Sequence, residues 1–211
     1  MLRAQQSLVL HQQANSGNSY KVRLAATLSG RKFDRLIEYD TFKGETRTPA
    51  FLQQVNKNGR VPVLQIGADE FLPESNAASY YLATGTDLIP TDPFEHAQML
   101  QWMFWEQYSH EPSVAVVRIW IKYIGEANLS DSQKAALPGL TEKARAALKL
   151  MDEHLEGREW FVGRRVSVAD LVLFAYTHVA SDAGFGWEEF PNLQKWCERV
   201  KGLKGYVGIG E

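Results

Sequence analysis

A proline set inside a strand-like run, Val61-Pro62-Val63-Leu64, constrains this chain more than any other feature. Proline has no N–H to give a sheet ladder, and its φ is fixed near about −65°. The run fits a sheet if the Val61–Pro62 bond is cis, an arrangement confined almost wholly to X-Pro bonds. The backbone groups of Val61 then turn outward to a partner. A short hairpin follows, Leu64 to Leu72, turning at Gly67-Ala68-Asp69. Glu74-Ser75 next opens an apolar helical run. A helix N-terminus exposes free amides and positive dipole, a ready site for a carboxylate. A strand edge able to pair with a peptide backbone thus lies beside an anion hole. That combination suits a small anionic peptide ligand.

Residues 1–85 mix strand and helix signals, and residues 94–211 do not. Ser7–Gln12 reads as a buried strand around Leu8, Val9 and Leu10. Ser19–Leu28 is helical, with Val22, Leu24, Ala25 and Leu28 toward the core and Gly30 as a stop. Phe33–Tyr39 is a second strand, and Thr48-Pro49 starts a helix with proline at its first position. The helix Glu74–Ala83 closes at Gly85. This order predicts an α/β domain over 1–85. Residues 86–93, Thr-Asp-Leu-Ile-Pro-Thr-Asp-Pro, are a linker by composition. An all-α domain is expected over 94–211, with helices at Phe94–Ser109, Pro112–Ile124, Gln133–Leu155, Ser167–Ser181 and Pro191–Gly202. Ser109-His110-Glu111 is expected to end one helix and start the next. Ser130-Asp131-Ser132-Gln133 and Ser167-Val168-Ala169-Asp170 each fit a capping box.

Composition narrows the function classes. A net charge of −2 gives no basic field, so neither nucleic acid nor an anionic membrane is an expected partner. No apolar stretch approaches the ~20 residues of a membrane helix. Met1-Leu2-Arg3-Ala4-Gln5-Gln6 lacks the apolar run of a signal peptide, so the cytoplasm is the expected location. The single cysteine, Cys197, excludes an intrachain disulfide and any Cys-x-x-Cys site. Metal-ligand spacing and phosphate loops are absent, so no metal is expected.

Five segments in this order and spacing make the chain resemble the cytosolic glutathione transferase superfamily over nearly its whole length. They are Asn15-Ser16-Gly17-Asn18-Ser19-Tyr20-Lys21-Val22-Arg23-Leu24, Lys43-Gly44-Glu45, Val61-Pro62-Val63-Leu64, Glu74-Ser75-Asn76-Ala77 and Ser167-Val168-Ala169-Asp170. The stretch Gln101–Pro112 looks like a bacterial branch, one that activates its thiol with a serine or an amide. The resemblance implies a thioredoxin-like N-terminal domain, a helical C-terminal domain and a homodimer. It also implies an enzyme that conjugates glutathione to a small hydrophobic electrophile.

Such an enzyme must hold a tripeptide and lower its thiol pKa. A free thiol titrates near ~8.5 and is mostly protonated at neutral pH. A donor aimed at sulfur, helped by a helix dipole, stabilises the thiolate. By resemblance Ser16 matches the activating serine, and Asn18 is a rival donor. Either residue, or Ser19, also suits a plain helix cap. Glu74 and Ser75 would take the γ-glutamyl end. Val61, next to Pro62, would pair with the cysteinyl backbone. Lys43 and Arg60 would reach the glycyl carboxylate, and are otherwise solvated surface charges. Lys57 stands where family members usually carry proline, which leaves the glycyl end open. The electrophile pocket is expected where the first helix of the second half faces the sulfur, with Trp105, Tyr108 and Trp102 as its walls; aromatics at this spacing are also ordinary core. Two alternatives remain: a non-catalytic transferase-like binding or scaffold protein, and a glutathione-dependent isomerase or dehalogenase on the same fold.

Overall fold

Alternating apolar residues build a four-stranded mixed sheet from β1 (Leu8–Gln12), β2 (Arg35–Glu38), β3 (Val63–Ile66) and β4 (Glu70–Pro73), in the order β2-β1-β3-β4. This computed structural model describes residues 6–211 of the chain, so Met1 to Gln5, where no leader is expected, lie outside the described residues. β1 pairs parallel with β2, and antiparallel with β3, which pairs antiparallel with β4. Leu10 stands opposite both Leu36 and Leu64, so one central residue fixes the register of three strands. Helices α1 (Gly17–Leu28), α2 (Pro49–Gln54) and α3 (Ser75–Ala83) complete the α/β part. Val22 and Ala26 of α1, and Ala78 and Leu82 of α3, sit four residues apart on one helix face. They meet Leu10, Leu64 and Ile66 in a single core. Each fully buried leucine there contributes about 1.5–3 kcal/mol of transfer free energy. The βαβ-α-ββα order is the thioredoxin-like arrangement expected from the sequence.

Two compact units result. One holds the described part of Met1–Ile89 together with Leu203–Glu211; the other is Pro90–Gly202. The first break lies between Ile89 and Pro90, and residues 203–211 group with the sheet-bearing unit.

The second unit is all helix. It opens with α4 (Pro93–Trp105), capped by the Asp92 carboxylate on the amides of Phe94 and Glu95. The expected break at Ser109-His110-Glu111 does not occur. α4 continues as a π-helical stretch, Glu106–Ala115, then α5 (Val116–Arg118), then a second π-helical stretch, Ile119–Ile124. Proline inside an α-helix clashes with the carbonyl four residues back, and a widened π turn gives it room. Pro112 is exposed within this stretch. The hydroxyl of Ser113 donates to the carbonyls of Ser109 (2.8 Å) and His110 (3.1 Å).

α6 (Asp131–His154) starts at the expected Ser130–Gln133 capping box. Every residue of α7 (Val168–Thr177) is buried, as a central helix must be. Its Ser167–Asp170 capping box is present, and the Asp170 carboxylate also reaches outside the helix. Oδ2 accepts from the Ser167 amide and hydroxyl at 2.9 and 3.0 Å. Oδ1 accepts from the Phe161 amide and Trp196 Nε1, both at 3.0 Å. Trp196 belongs to α8 (Pro191–Lys201), so one carboxylate ties three segments together.

Candidate functional site

The loop between β1 and α1 is held from several sides. Ser16 is the N-cap of α1, its hydroxyl 3.5 Å from the Ser19 amide, and its own amide donates to the Gln13 carbonyl at 3.0 Å. The Ser19 hydroxyl in turn accepts from the Gln13 amide at 3.2 Å. Ser16 and Asn18 are both half-buried, so each side chain keeps a face open at the positive end of α1.

Ser75 reaches this loop from α3. Its hydroxyl donates to Asn18 Oδ1 at 3.3 Å, across 57 residues of sequence. Ser75 is buried at the first turn of α3, and its carbonyl accepts from the Ser79 hydroxyl at 2.8 Å. Glu74, the N-cap residue, is exposed and has φ 70°, ψ 109°. Glu74 makes no side-chain cap bond at this helix start, the end of a helix whose positive dipole suits an anion.

The Val61–Pro62 bond is cis. The β1–β3 ladder begins at Val63, opposite His11, so Val61 stands before the paired part of the strand. His11 is a strand residue that bridges Tyr39 Oη and Gln65 Oε1, both at 3.0 Å. Burial lowers its pKa, so the ring is neutral there at physiological pH.

The two basic residues expected at the glycyl end differ in surroundings. Lys43 pairs with Asp40 at 3.0 Å and is largely exposed; that hydrogen bond raises its pKa. Arg60 is exposed, and its carbonyl accepts from Asn56 Nδ2 at 2.9 Å. The structure adds Arg47, which sequence reasoning missed. Arg47 Nη1 donates to the Asn58 carbonyl at 3.0 Å. Gly59, with φ +64°, lies so close beneath it that a Cβ there would sit 2.6 Å from Nη1. A lone arginine between two threonines carried no signal of this.

The other polar and aromatic side chains divide. The Tyr20 hydroxyl is committed to the Val207 carbonyl at 2.7 Å, and burial raises its pKa. Cys197 is free and buried, and burial raises its thiol pKa. Trp102 is buried in an aromatic cluster, edge-on to Trp105 at 5.2 Å and to Phe161 at 4.8 Å. Trp105 and Tyr108, by contrast, line an open cavity of about 580 Å³ between the π-helical stretch and α6, with Pro112, Leu140, Lys143 and Leu150. Behind it, Glu106 and His110 are fully buried, with His110 Nε2 3.0 Å from the Thr177 hydroxyl. Among the described residues no cluster of His, Cys, Asp and Glu is placed to hold a metal, and no helix is long and apolar enough to cross a membrane.

A loop at a helix mouth, a helix N-terminus without a side-chain cap and a strand that follows a cis-proline thus belong to one compact unit. Comparison with known proteins identifies the family. Residues 7–84 match the family model described as glutathione S-transferase, N-terminal domain, and residues 98–203 match glutathione S-transferase, C-terminal domain. The crystal structure of a glutathione S-transferase from Pseudomonas fluorescens superposes with a TM-score of 0.89 at 35% identity, covering 97% of this chain and 99% of that one. A glutathione S-transferase-like protein, LUC7, from Fusarium is 30% identical over 88% of this chain and 84% of its own length. Elongation factor 1-gamma of Artemia salina is 29% identical over 90% of this chain, which spans only 44% of that protein. With both family models matched in order, and a relative of this identity aligned along most of its length, the chain belongs to the glutathione S-transferase family.

Proposed function

We propose that this protein is a glutathione S-transferase of the serine- or amide-activated type, joining the glutathione sulfur to a small hydrophobic electrophile. Ser16 and Asn18 donate to the sulfur and hold it as thiolate. Ser75 and the first amides of α3 take the γ-glutamyl carboxylate, and Glu74 takes its ammonium. Val61, beside Pro62, pairs with the cysteinyl backbone. Lys43 and Arg60 serve the glycyl carboxylate. Trp105 and Tyr108 contact the electrophile, with Trp102 packed behind Trp105. The thiolate attacks the electrophilic carbon; a C–S bond forms and the leaving group departs with its electron pair. Holding both reactants together supplies most of the rate. The enzyme works as a homodimer in the cytoplasm.

The observation that carries this reading is the Ser75–Asn18 hydrogen bond, which brings the proposed anion hole and the proposed sulfur contact within reach of one tripeptide. The test is calorimetric titration of glutathione into wild type and Ser75→Ala, with conjugation of a chloronitrobenzene in the same preparations. Wild type should bind and turn over, and Ser75→Ala should bind about tenfold more weakly or worse. No binding at millimolar glutathione would sink the reading.

The similarity to elongation factor 1-gamma, named for elongation rather than transfer, favours one second reading. In that second reading this chain is a non-catalytic binding or scaffold module with little glutathione affinity. Retention on immobilised glutathione separates the two.

A further inference from the structure

The loop that carries Ser16 and Asn18 begins at Ala14, and both ends of that residue are gripped by charge. The Ala14 amide donates to Glu38 Oε2 at 2.9 Å. The Ala14 carbonyl accepts from Arg23 Nη2 at 2.8 Å. Glu38, at the end of β2, is itself steadied by Gln12 Nε2 at 2.6 Å. Arg23 lies in α1 and is only 5% exposed. Helical side chains lean toward the helix N-terminus, so Arg23 extends back along α1 to the loop.

A buried guanidinium needs acceptors for its remaining donors, and burial alone disfavours its charge. Acceptors for Nη1 and Nη2 come from the far side of the sequence. Nη2 also donates to the Ile209 carbonyl at 2.6 Å, and Nη1 donates to the Glu211 carbonyl. The segment that supplies them follows the surface of α1. Gly205 passes so close that a Cβ there would lie 3.3 Å from the Thr27 carbonyl. Val207 accepts the Tyr20 hydroxyl. The Gly208 amide donates to Glu211 Oε2 at 2.8 Å, closing the segment on itself.

We propose that Arg23 is the positioning residue of the thiol-binding loop, and that residues 203–211 form a strap that seats it. This rests on reading Ser16 and Asn18 as the sulfur contacts. Arg23 touches neither sulfur nor peptide. It fixes where the Ala14 peptide sits, and with it the direction in which the loop's donors point. Charge-assisted bonds to three carbonyls, from two different segments, make the loop geometry depend on the strap.

The test uses the full chain with Arg23→Lys, Arg23→Gln and Tyr20→Phe, and a form lacking residues 206–211. Amide hydrogen exchange over residues 13–19 is measured without ligand. Thiolate absorbance of bound glutathione is titrated against pH, and KM and kcat are measured at low and high pH. Loop exchange should accelerate in Arg23→Gln and in the shortened form, and about half as much, on a logarithmic scale, in Tyr20→Phe, which loosens the strap alone. In Arg23→Gln kcat should fall about three- to tenfold below neutrality and converge on wild type at high pH. KM for glutathione should change less than kcat, and Arg23→Lys should recover part of the loss. Wild-type exchange in both Arg23→Gln and the shortened form overturns the proposal. So does a uniform loss of rate at every pH. If Arg23→Gln does not fold, Tyr20→Phe decides by the same exchange measurement. If wild-type protein forms no glutathione thiolate, the functional reading has failed, and loop exchange alone decides whether the strap holds the loop.

Discussion

Asp170 offers the sharpest quantitative test of the helical unit. Its carboxylate accepts four hydrogen bonds in a fully buried site, yet burial outweighs them and its pKa is pushed up to about 6. Asp170→Asn keeps the volume and replaces one oxygen by an NH2 group. That group must then face either the Ser167 pair or the Phe161 and Trp196 donors. A buried donor left without an acceptor costs about 1–3 kcal/mol. With at least one such donor and a displaced neighbour, the expected cost is about 2–4 kcal/mol at pH 7.5. The pH dependence is more specific. A folded-state pKa above the unfolded value means the folded protein holds that proton more tightly. The stability so gained is complete below about 4 and is lost as pH rises through about 6. Only wild type has this carboxyl, so the deficit of Asp170→Asn should grow by about 1.4 kcal/mol between pH 7.5 and pH 5. Urea unfolding followed by tryptophan fluorescence, at both pH values and with equal slopes, measures it. A deficit that is the same at both pH values would refute the balance between burial and hydrogen bonding argued for Asp170.

Two further outcomes follow from buried groups. Cys197, buried with a raised thiol pKa, should resist a thiol reagent in native protein and react at once in urea; fast native labelling would contradict its packing. Gly59→Ala should destabilise the sheet-bearing unit by about 1–3 kcal/mol, because alanine is strained at φ +64° and its Cβ meets Arg47; an unchanged unfolding midpoint would count against that contact.

Local chemistry was the legible part of this chain. Two capping boxes, the proline at the start of α2 and the hairpin turn at Gly67-Ala68-Asp69 all stand where residue types alone placed them. Each depends on neighbours within a few residues. The break expected at Ser109-His110-Glu111 was wrong for the opposite reason. Proline is a local breaker, but the widened turn here is kept by Ser113 and by the packing of Glu106 and His110, which no short window reveals. Trp102 shows the same limit: it stands three residues before Trp105 and six before Tyr108, yet it is buried in an aromatic cluster and does not line the cavity that those two line. Near the proposed site, Ser75 and Asn18 could be named singly, but their contact spans 57 residues. The return of residues 203–211 to α1 spans 186 or more and has no sequence signature at all.

Glu74 sets a trade-off for anyone engineering this scaffold. It is the one non-glycine residue among those described with positive φ, a conformation that costs of order 1–3 kcal/mol when a side chain must adopt it. Glycine would relax there without complaint. A selection that rewards heat resistance alone would therefore drift toward glycine at position 74. It would harvest a sturdier protein and strip the carboxylate from the mouth of α3. A library screened for thermal tolerance should hold this position constant wherever the charge at that helix start is to be kept.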